Sequence, residues 1–129
     1  MNRLTQKLDK LRKENNKALV AYLVAGDPDM DSTLEIMHLF VESGVDIIEV
    51  GVPFTDPIAE GPIIQRAHDR AIRKKVSLED IFDLIEKFRS KDDETPLVLM
   101  GYLNSFIFYK NLIIENKNNS VDSILVVDI

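Results

Sequence analysis

The chain has 129 residues, of which 45% are hydrophobic, and it carries a net charge of -6. Such a length and composition are typical of one globular domain with a real core and argue against intrinsic disorder. The acidic balance, with basic residues scattered along the chain, argues against nucleic-acid binding. The absence of cysteine excludes disulfides, thiolate catalysis and cysteine-ligated zinc. We predict a single domain over residues 1–129.

The first 17 residues, MNRLTQKLDKLRKENNK, are too charged for a signal peptide. No apolar run in the sequence approaches the roughly 20 residues that a membrane-spanning helix needs. We therefore expect a cytoplasmic protein. Within this segment Leu4, Leu8 and Leu11 recur at helical spacing among charged residues, which predicts an amphipathic helix with a narrow apolar stripe.

Predicted strands and helices then alternate. The apolar run at 18–25 predicts a first buried strand. Ser32 and Glu35 form a capping-box pattern that predicts the start of a helix, and Gly44 is expected to end it. The second predicted strand covers 46–52.

The same cycle continues in the second half of the chain. One predicted helix has Pro62 in its first turn and runs towards Lys74, and another is capped by Ser77. The expected buried face of that second helix consists of Ile81, Leu84, Ile85 and Phe88. The remaining predicted elements are a strand at 96–101, a helix at 106–115, a loop at 116–120 and a strand at 123–128.

Strands that alternate with helices require a parallel sheet with right-handed crossovers. Four such units fit an open doubly wound sheet and half of a closed barrel equally well. The alternation itself leaves both architectures open.

Glu49 is the most informative single residue, because it lies in the apolar second strand. An unpaired carboxylate in such a place is costly or takes up a proton. Alternation places Glu49 on one face with Ile47 and Gly51, and Ile48 and Val50 on the other. We expect desolvation to raise the pKa of Glu49 towards neutrality, which suits a general acid and base. The alternative is a core carboxylate satisfied by a tyrosine hydroxyl or a backbone amide.

An acidic loop punctuated by prolines follows this strand at 53–62. It leaves the carboxyl end of the strand, where parallel α/β proteins place their chemistry. Its Glu60 is a candidate for the site. Considered alone, Glu60 also fits a solvated loop acid next to the helix N-terminus at Gly61 and Pro62.

The sequence offers no support for a metal site or a nucleotide cofactor. His38 and His68 lie far apart in predicted helices, so a Ser-His-Asp arrangement is not indicated, and we expect surface or packing roles for both. No glycine-rich GxGxxG or GxxxxGK[ST] pattern occurs.

Three segments together resemble the tryptophan synthase alpha subunit family: AGDPD at 25–29, IIEVGVPFTDPIAEGPIIQ at 47–65 and LMGYLN at 99–104. Their order and spacing match from about residue 17 to residue 129. The resemblance implies a TIM (β/α)8 barrel, a fold of roughly 250 residues. We therefore expect the first four βα units, a half barrel with an N-terminal helix, and the C-terminal half to be absent from this chain.

The family resemblance implies a lyase of tryptophan biosynthesis that reversibly cleaves indole-3-glycerol phosphate to indole and glyceraldehyde 3-phosphate. It implies no metal and no cofactor on this chain, and pyridoxal phosphate only on a beta-subunit partner in an alpha2beta2 complex. Glu49 matches the family's proton shuttle. Glu60 stands where the family usually has Asp, the carboxylate that accepts a hydrogen bond from the indole N–H.

The resemblance also assigns residues to two surfaces. Tyr22, Met100, Tyr102 and Val127 match positions around the indole, and each also fits an ordinary core position. Pro53, Asp56, Pro57 and Asn104 match the contact with the beta subunit, although Asp and Asn are also common turn formers.

Two other functions remain open at this stage. One is a stand-alone lyase that needs no partner. The other is a non-catalytic interaction protein that keeps the partner-facing loops without the phosphate-binding loops that the family carries after strands seven and eight. We expect the 129-residue chain on its own to be inactive.

Overall fold

The structure, a computed structural model, describes residues 2–115 and 120–129. The predicted loop at 116–120 therefore lies, except for Ser120, outside the described residues, and the assignment of the chain to a single domain stays a prediction. In chain order the elements are α1 (Arg3–Lys13), β1 (Val20–Val24), α2 (Met30–Glu42), β2 (Ile47–Gly51), α3 (Pro62–Arg73), α4 (Leu78–Arg89), β3 (Leu97–Gly101), α5 (Leu103–Phe108), α6 (Lys110–Ile114) and β4 (Ser123–Val126).

The four strands form one parallel sheet in the order β1-β2-β3-β4. Each crossover therefore leads to the next strand in sequence. A doubly wound sheet reverses its direction of winding at a switch point, whereas the strands of a (β/α) barrel follow one another in order. The described strands show no reversal, which is the arrangement of a barrel segment.

One face of the sheet is covered by helices. The strand residues on this face are at most 1% exposed; they are Ile48, Val50, Leu97 and Leu99. They form one core cluster with Met37 of α2 and with the buried face of α4, which consists of Ile81, Leu84, Ile85 and Phe88. The buried face predicted for α4 is confirmed.

The opposite face of the sheet, which carries Glu49, is more open. Val20 on β1 is 48% exposed and Leu125 on β4 is 46% exposed. The prediction of a fully buried first strand was therefore wrong. Within the described residues β1 lies at the edge of the sheet with β2 as its strand neighbour, and of its five residues only Val24, which packs against Ala67 and Ala71 of α3, is buried.

Helix boundaries follow the predicted caps with two corrections. Gly44 adopts φ 96° just after α2, and Ser77 caps α4 with a full capping box to Asp80. The predicted end of α2 and the predicted cap of α4 are thus confirmed. However, α2 begins at Met30, because the Asp29 carboxylate accepts the Ser32 N–H at 2.7 Å and Ser32 lies inside the first turn.

The second correction concerns the helix predicted at 106–115. It is two short helices, α5 and α6, which Tyr109 separates with φ -102° and ψ 21°. The first of them begins at Leu103, earlier than expected, directly after the turn at the end of β3.

A buried carboxylate ties the amino ends of the strands to two helices. Asp122, whose side chain is 1% exposed, accepts hydrogen bonds from Arg3 of α1 at 3.3 Å, Arg89 of α4 at 3.2 Å and the Leu97 N–H at 3.0 Å. None of the residues of α1 is buried, so these polar contacts are important for holding that helix.

The core predicts a large difference between two phenylalanines. Phe88 is fully buried, whereas Phe108 is 80% exposed. In the full-length protein without partners, Phe88→Ala is expected to lower the free energy of unfolding by about 3 to 5 kcal/mol. The matched control Phe108→Ala is expected to change it by less than about 0.5 kcal/mol. Urea unfolding measures both, and equal losses would contradict this assignment of the core.

Candidate active site

The parallel register places Tyr22 of β1 beside Glu49 of β2, on the open face of the sheet. The Tyr22 ring crosses Gly51, and its hydroxyl group occupies the space that a side chain at position 51 would fill. A glycine is therefore required at 51 for Tyr22 to lie across β2. This packing brings the tyrosine to the carboxyl end of the strand that carries Glu49.

Glu49 is half-buried, and burial raises its pKa above the ordinary glutamate value. This is the direction expected from the apolar strand. The Tyr22 hydroxyl is buried and has no hydrogen-bond partner in the part of the chain that the structure describes. Tyr22 therefore makes no hydrogen bond to the Glu49 carboxylate. The alternative interpretation, in which a tyrosine hydroxyl satisfies Glu49 as a core carboxylate, receives no support from Tyr22.

Glu60 is held by Tyr102. The Glu60 side chain is 7% exposed, and its Oε2 accepts a hydrogen bond from the Tyr102 hydroxyl. The same hydroxyl accepts the Ala59 N–H at 3.0 Å. Glu60 is therefore not the solvated loop acid that its position alone allows, because a tyrosine from the end of β3 reaches across to it.

Burial, together with the hydrogen bond to Glu60, raises the pKa of Tyr102 to about 12. Tyr102 therefore keeps its proton at neutral pH and acts as a fixed donor to the carboxylate. Its own ring is 1% exposed and stacks on Phe54, with ring centroids 4.7 Å apart.

The loop between β2 and α3 is fastened from behind by α3. The Gln65 side-chain amide donates to the Glu60 carbonyl at 3.0 Å and to the Pro57 carbonyl at 3.3 Å. Arg70 makes a bidentate ion pair with Asp27, at 2.6 and 2.9 Å, which joins α3 to the loop after β1. These contacts fix the loop without using the Glu60 carboxylate.

Both carboxylates act electrostatically on the Tyr22 hydroxyl. Its pKa is raised by burial first, and then by the negative charges of Glu60 and Glu49. The structure therefore brings four of the predicted residues, Tyr22, Glu49, Glu60 and Tyr102, together at one end of the sheet.

Sequence reasoning missed the part that His68 plays in this region. The His68 ring is 1% exposed, its Nδ1 accepts the Phe54 N–H at 3.0 Å, and its Nε2 lies 3.7 Å from Glu60 Oε1. A surface or packing role was predicted for His68, but not contact with the site. The one available indication was its position on the small-residue face of α3 with Ala67 and Ala71.

The other predicted substrate residues lie nearby. Met100 is half-buried and pairs in register with Gly51 on the open face of the sheet. Val127 is half-buried just after β4, and its N–H donates to the Gly101 carbonyl at 3.0 Å. Their contact with a substrate stays a prediction.

The four predicted partner residues differ in exposure. Asp56 and Asn104 are exposed, Pro53 is half-buried, and Pro57 is buried within the chain. Asp56 and Asn104 are therefore the two whose side chains are accessible from outside the chain. The interface itself stays a prediction.

Residues 2–115 and 120–129 contain no group of three or more His, Cys, Asp or Glu side chains placed to hold a metal ion. In the same residues, no helix is long and apolar enough to cross a membrane.

A parallel sheet in sequential order, with two carboxylates and two tyrosines gathered at its carboxyl end, defines a (β/α)-barrel protein with its site in the usual place for that class. The chain belongs to the tryptophan synthase alpha chain family, whose model matches residues 8–129. The predicted family and fold class, the first four βα units of a TIM barrel, are confirmed.

Individual relatives agree with this assignment. The tryptophan synthase alpha chain of Thioalkalivibrio sulfidiphilus strain HL-EbGR7 is 46% identical over 131 residues, which cover 100% of this chain and 49% of the relative. The crystal structure of the alpha subunit from Legionella pneumophila strain Paris superposes with a TM-score of 0.95 at 42% identity, covering 99% of this chain and 50% of that one.

A tryptophan synthase complex from Pyrococcus furiosus is also similar, with a TM-score of 0.79 at 42% identity. The match covers 87% of this chain and 47% of the Pyrococcus chain. The chain thus spans about half the length of the relatives that it matches.

The raised pKa of Glu49 predicts a pH-dependent cost to stability. The folded protein binds this proton more tightly than the unfolded chain does, so the carboxyl opposes folding as pH rises from the ordinary value of about 4.3 through the higher folded value. In the full-length protein, Glu49→Gln is therefore expected to gain stability relative to the unsubstituted protein between about pH 4 and pH 7.

Urea unfolding at the two pH values measures this gain. Glu86→Gln, at an exposed position on α4, is the matched control and is expected to change stability equally at both. A stability difference between Glu49→Gln and the unsubstituted protein that stays constant with pH would contradict the raised pKa of Glu49.

Proposed function

We propose that the protein containing this chain is the alpha subunit of tryptophan synthase, a lyase that reversibly cleaves indole-3-glycerol phosphate to indole and glyceraldehyde 3-phosphate. The observation that carries this proposal is the pair of carboxylates in contrasting environments. Glu49 is desolvated on the open face of the sheet, and Glu60 is held by the Tyr102 hydroxyl. Two carboxylates whose surroundings differ in this way are suited to two different roles in one reaction.

The first role is proton transfer by Glu49. Breaking the bond between indole C3 and the side-chain carbon requires a proton at C3 and the loss of the proton on the neighbouring hydroxyl, which becomes the aldehyde oxygen. A single carboxyl group whose pKa lies above the ordinary value is able to give the first proton and take the second. The cleavage then balances without a metal or a covalent intermediate.

The second role is electrostatic and belongs to Glu60. Protonation at C3 places positive charge on the indole nitrogen, and a carboxylate that accepts the ring N–H stabilises that charge. Tyr102 occupies Oε2 of Glu60 as a donor, which fixes the direction of the group before substrate arrives. A carboxylate that is already oriented needs no reorganisation during the reaction.

We propose that Tyr22, Met100, Tyr102 and Val127 form the walls around the indole. Tyr22 lies beside Glu49, Met100 lies on the same face of the sheet, and Tyr102, just after β3, bonds to Glu60. Val127 follows β4 at the same edge. Aromatic and apolar walls with a few convergent polar groups are typical of small-molecule sites.

We further propose a beta-subunit partner that binds pyridoxal phosphate, in an alpha2beta2 complex of the cytoplasm that serves tryptophan biosynthesis. The exposed side chains of Asp56 and Asn104 lie in the loops after β2 and β3, at the same edge as the site. Pro53 and Pro57 shape the first of these loops. The similarity to the Pyrococcus furiosus complex supports an assembly of this kind.

The proton-transfer role predicts the effect of removing the Glu49 carboxyl. In the full-length protein, Glu49→Gln is expected to lower the rate of indole release at least about a hundredfold with little change in KM, as for a lost general acid and base. The 129-residue chain alone is the negative control and is expected to release no indole, because the face that carries Glu49 lies open. Near-normal turnover of Glu49→Gln would contradict the role.

The electrostatic role of Glu60 predicts a graded series. Glu60→Ala is expected to lose about 2 to 4 kcal/mol of transition-state stabilisation, measured as kcat/KM for indole release. Glu60→Asp keeps the charge and is expected to keep most of the activity. Glu94→Ala, which removes an exposed carboxylate before β3, is the control and is expected to be silent. If Glu60→Ala were equally silent, Glu60 would have no part in the reaction.

A further inference from the structure

His68 is a buried side chain that the proposed reaction does not use. It lies on α3 beside Ala67 and Ala71, and its ring is among the largest fully buried side chains. An imidazole has two nitrogens with different hydrogen-bonding requirements, and burial makes each requirement costly to leave unmet. The partners of the two nitrogens therefore show what this ring does.

The first nitrogen determines the protonation state of the ring. Nδ1 of His68 accepts the Phe54 backbone N–H at 3.0 Å. Only an unprotonated ring nitrogen can accept a hydrogen bond, so the proton of a neutral His68 must be on Nε2. Protonating Nδ1 would break this bond and leave a half-buried backbone N–H without its acceptor.

The second nitrogen faces the site. Nε2 lies 3.7 Å from Oε1 of Glu60 and has no hydrogen-bond partner among the residues that the structure describes. This distance is longer than a hydrogen bond, but a small rotation of either side chain would close it. The other oxygen of the same carboxylate is already held by Tyr102.

These contacts form a closed ring of four residues. Phe54 bonds to His68 through its backbone and stacks on Tyr102 through its side chain. Tyr102 donates to Glu60, and Glu60 faces His68. Three of the four contacts are closed, the one between Glu60 and His68 is 3.7 Å long, and the ring joins α3, the loop after β2 and the residue that follows β3.

We propose that His68 is a positioning residue for Glu60, a neutral donor whose Nε2–H binds Oε1 of Glu60 and, opposite Tyr102, holds the carboxylate in the direction that the substrate's ring N–H requires. This inference rests on the proposed function, because that function gives the Glu60 carboxylate its role of stabilising the charge on the indole nitrogen. It adds the group that keeps Glu60 in place.

The neutral state of His68 matters for the chemistry. An imidazolium next to Glu60 would offset the negative charge that is to stabilise the substrate cation. The Phe54 bond to Nδ1 opposes that state. Burial also lowers the pKa of His68 and outweighs the opposing effect of the negative charges of Glu60 and Asp69. A neutral donor orients the carboxylate without cancelling its charge.

Two substitutions in the full-length protein separate the two nitrogens. His68→Asn keeps an acceptor near Nδ1 for the Phe54 N–H but removes the Nε2 donor. It is expected to lower kcat for indole release about tenfold to a hundredfold with little change in KM. His68→Gln places an amide N–H near the Nε2 position and is expected to recover most of that loss. His38→Asn, at the half-buried histidine that stacks on Phe88, is the matched control and is expected to be silent.

A measurement on the unsubstituted full-length protein tests the tautomer independently of activity. Two-bond nitrogen–proton NMR correlations of the imidazole are expected to show a bare Nδ1 and a protonated Nε2 for His68 at neutral pH. A protonated Nδ1 at neutral pH, as tautomer or as cation, would overturn the proposal.

The outcomes keep this inference separate from the proposed function. Silent Glu60→Ala would reject the role of Glu60, and with it the proposed reaction. Impaired Glu60→Ala together with silent His68→Asn would reject the role of His68 alone. Should His68→Asn fail to fold, the NMR correlations on the unsubstituted protein still decide between the two tautomers.

Discussion

The hydrogen bond from Tyr102 to Glu60 is the contact on which the candidate site depends. Tyr102 directly follows β3, and Glu60 lies in the loop that follows β2, so this bond joins two parts of the chain 42 residues apart. It turns an acidic loop residue into a buried and oriented carboxylate. The same tyrosine contacts two other residues of this loop. Phe54 stacks on the Tyr102 ring, and the Ala59 N–H donates to the Tyr102 hydroxyl. A parallel sheet makes this possible, because it brings the carboxyl ends of neighbouring strands to one edge.

The two carboxylates differ because they are held by different parts of the fold. Glu49 belongs to a strand, so its position is set by the register with Tyr22, and its raised pKa follows from burial. Glu60 belongs to a loop, so its position must be supplied by side chains from β3 and α3. A proton shuttle needs a carboxyl group that changes charge near neutral pH, whereas a charge stabiliser needs one that keeps its charge. These two kinds of support suit the two roles proposed for Glu49 and Glu60.

The two faces of the sheet divide stability from chemistry. The face packed against α2 and α4 holds the apolar core, with Ile48, Val50, Leu97 and Leu99 at most 1% exposed. The face that carries Tyr22 and Glu49 contributes less to that core and includes exposed apolar residues such as Val20. Polar groups on the second face are therefore tolerated, since they displace little of the packing that stabilises the chain.

The sequence by itself determined the local features: the alternation of strands and helices, the Ser77 cap, the buried face of α4 and the position of Glu49 on the face of β2 opposite Ile48 and Val50. These depend on residues a few positions apart, whose spacing is set by helix and strand geometry. Only the tertiary structure decided the partial exposure of β1, the burial of Glu60, and the contact of His68 with both Phe54 and Glu60. Each of these depends on which segments, distant in the sequence, pack against one another in the folded chain. A spacing pattern describes the face of one element, and it carries no record of the side chain that another element will place against it.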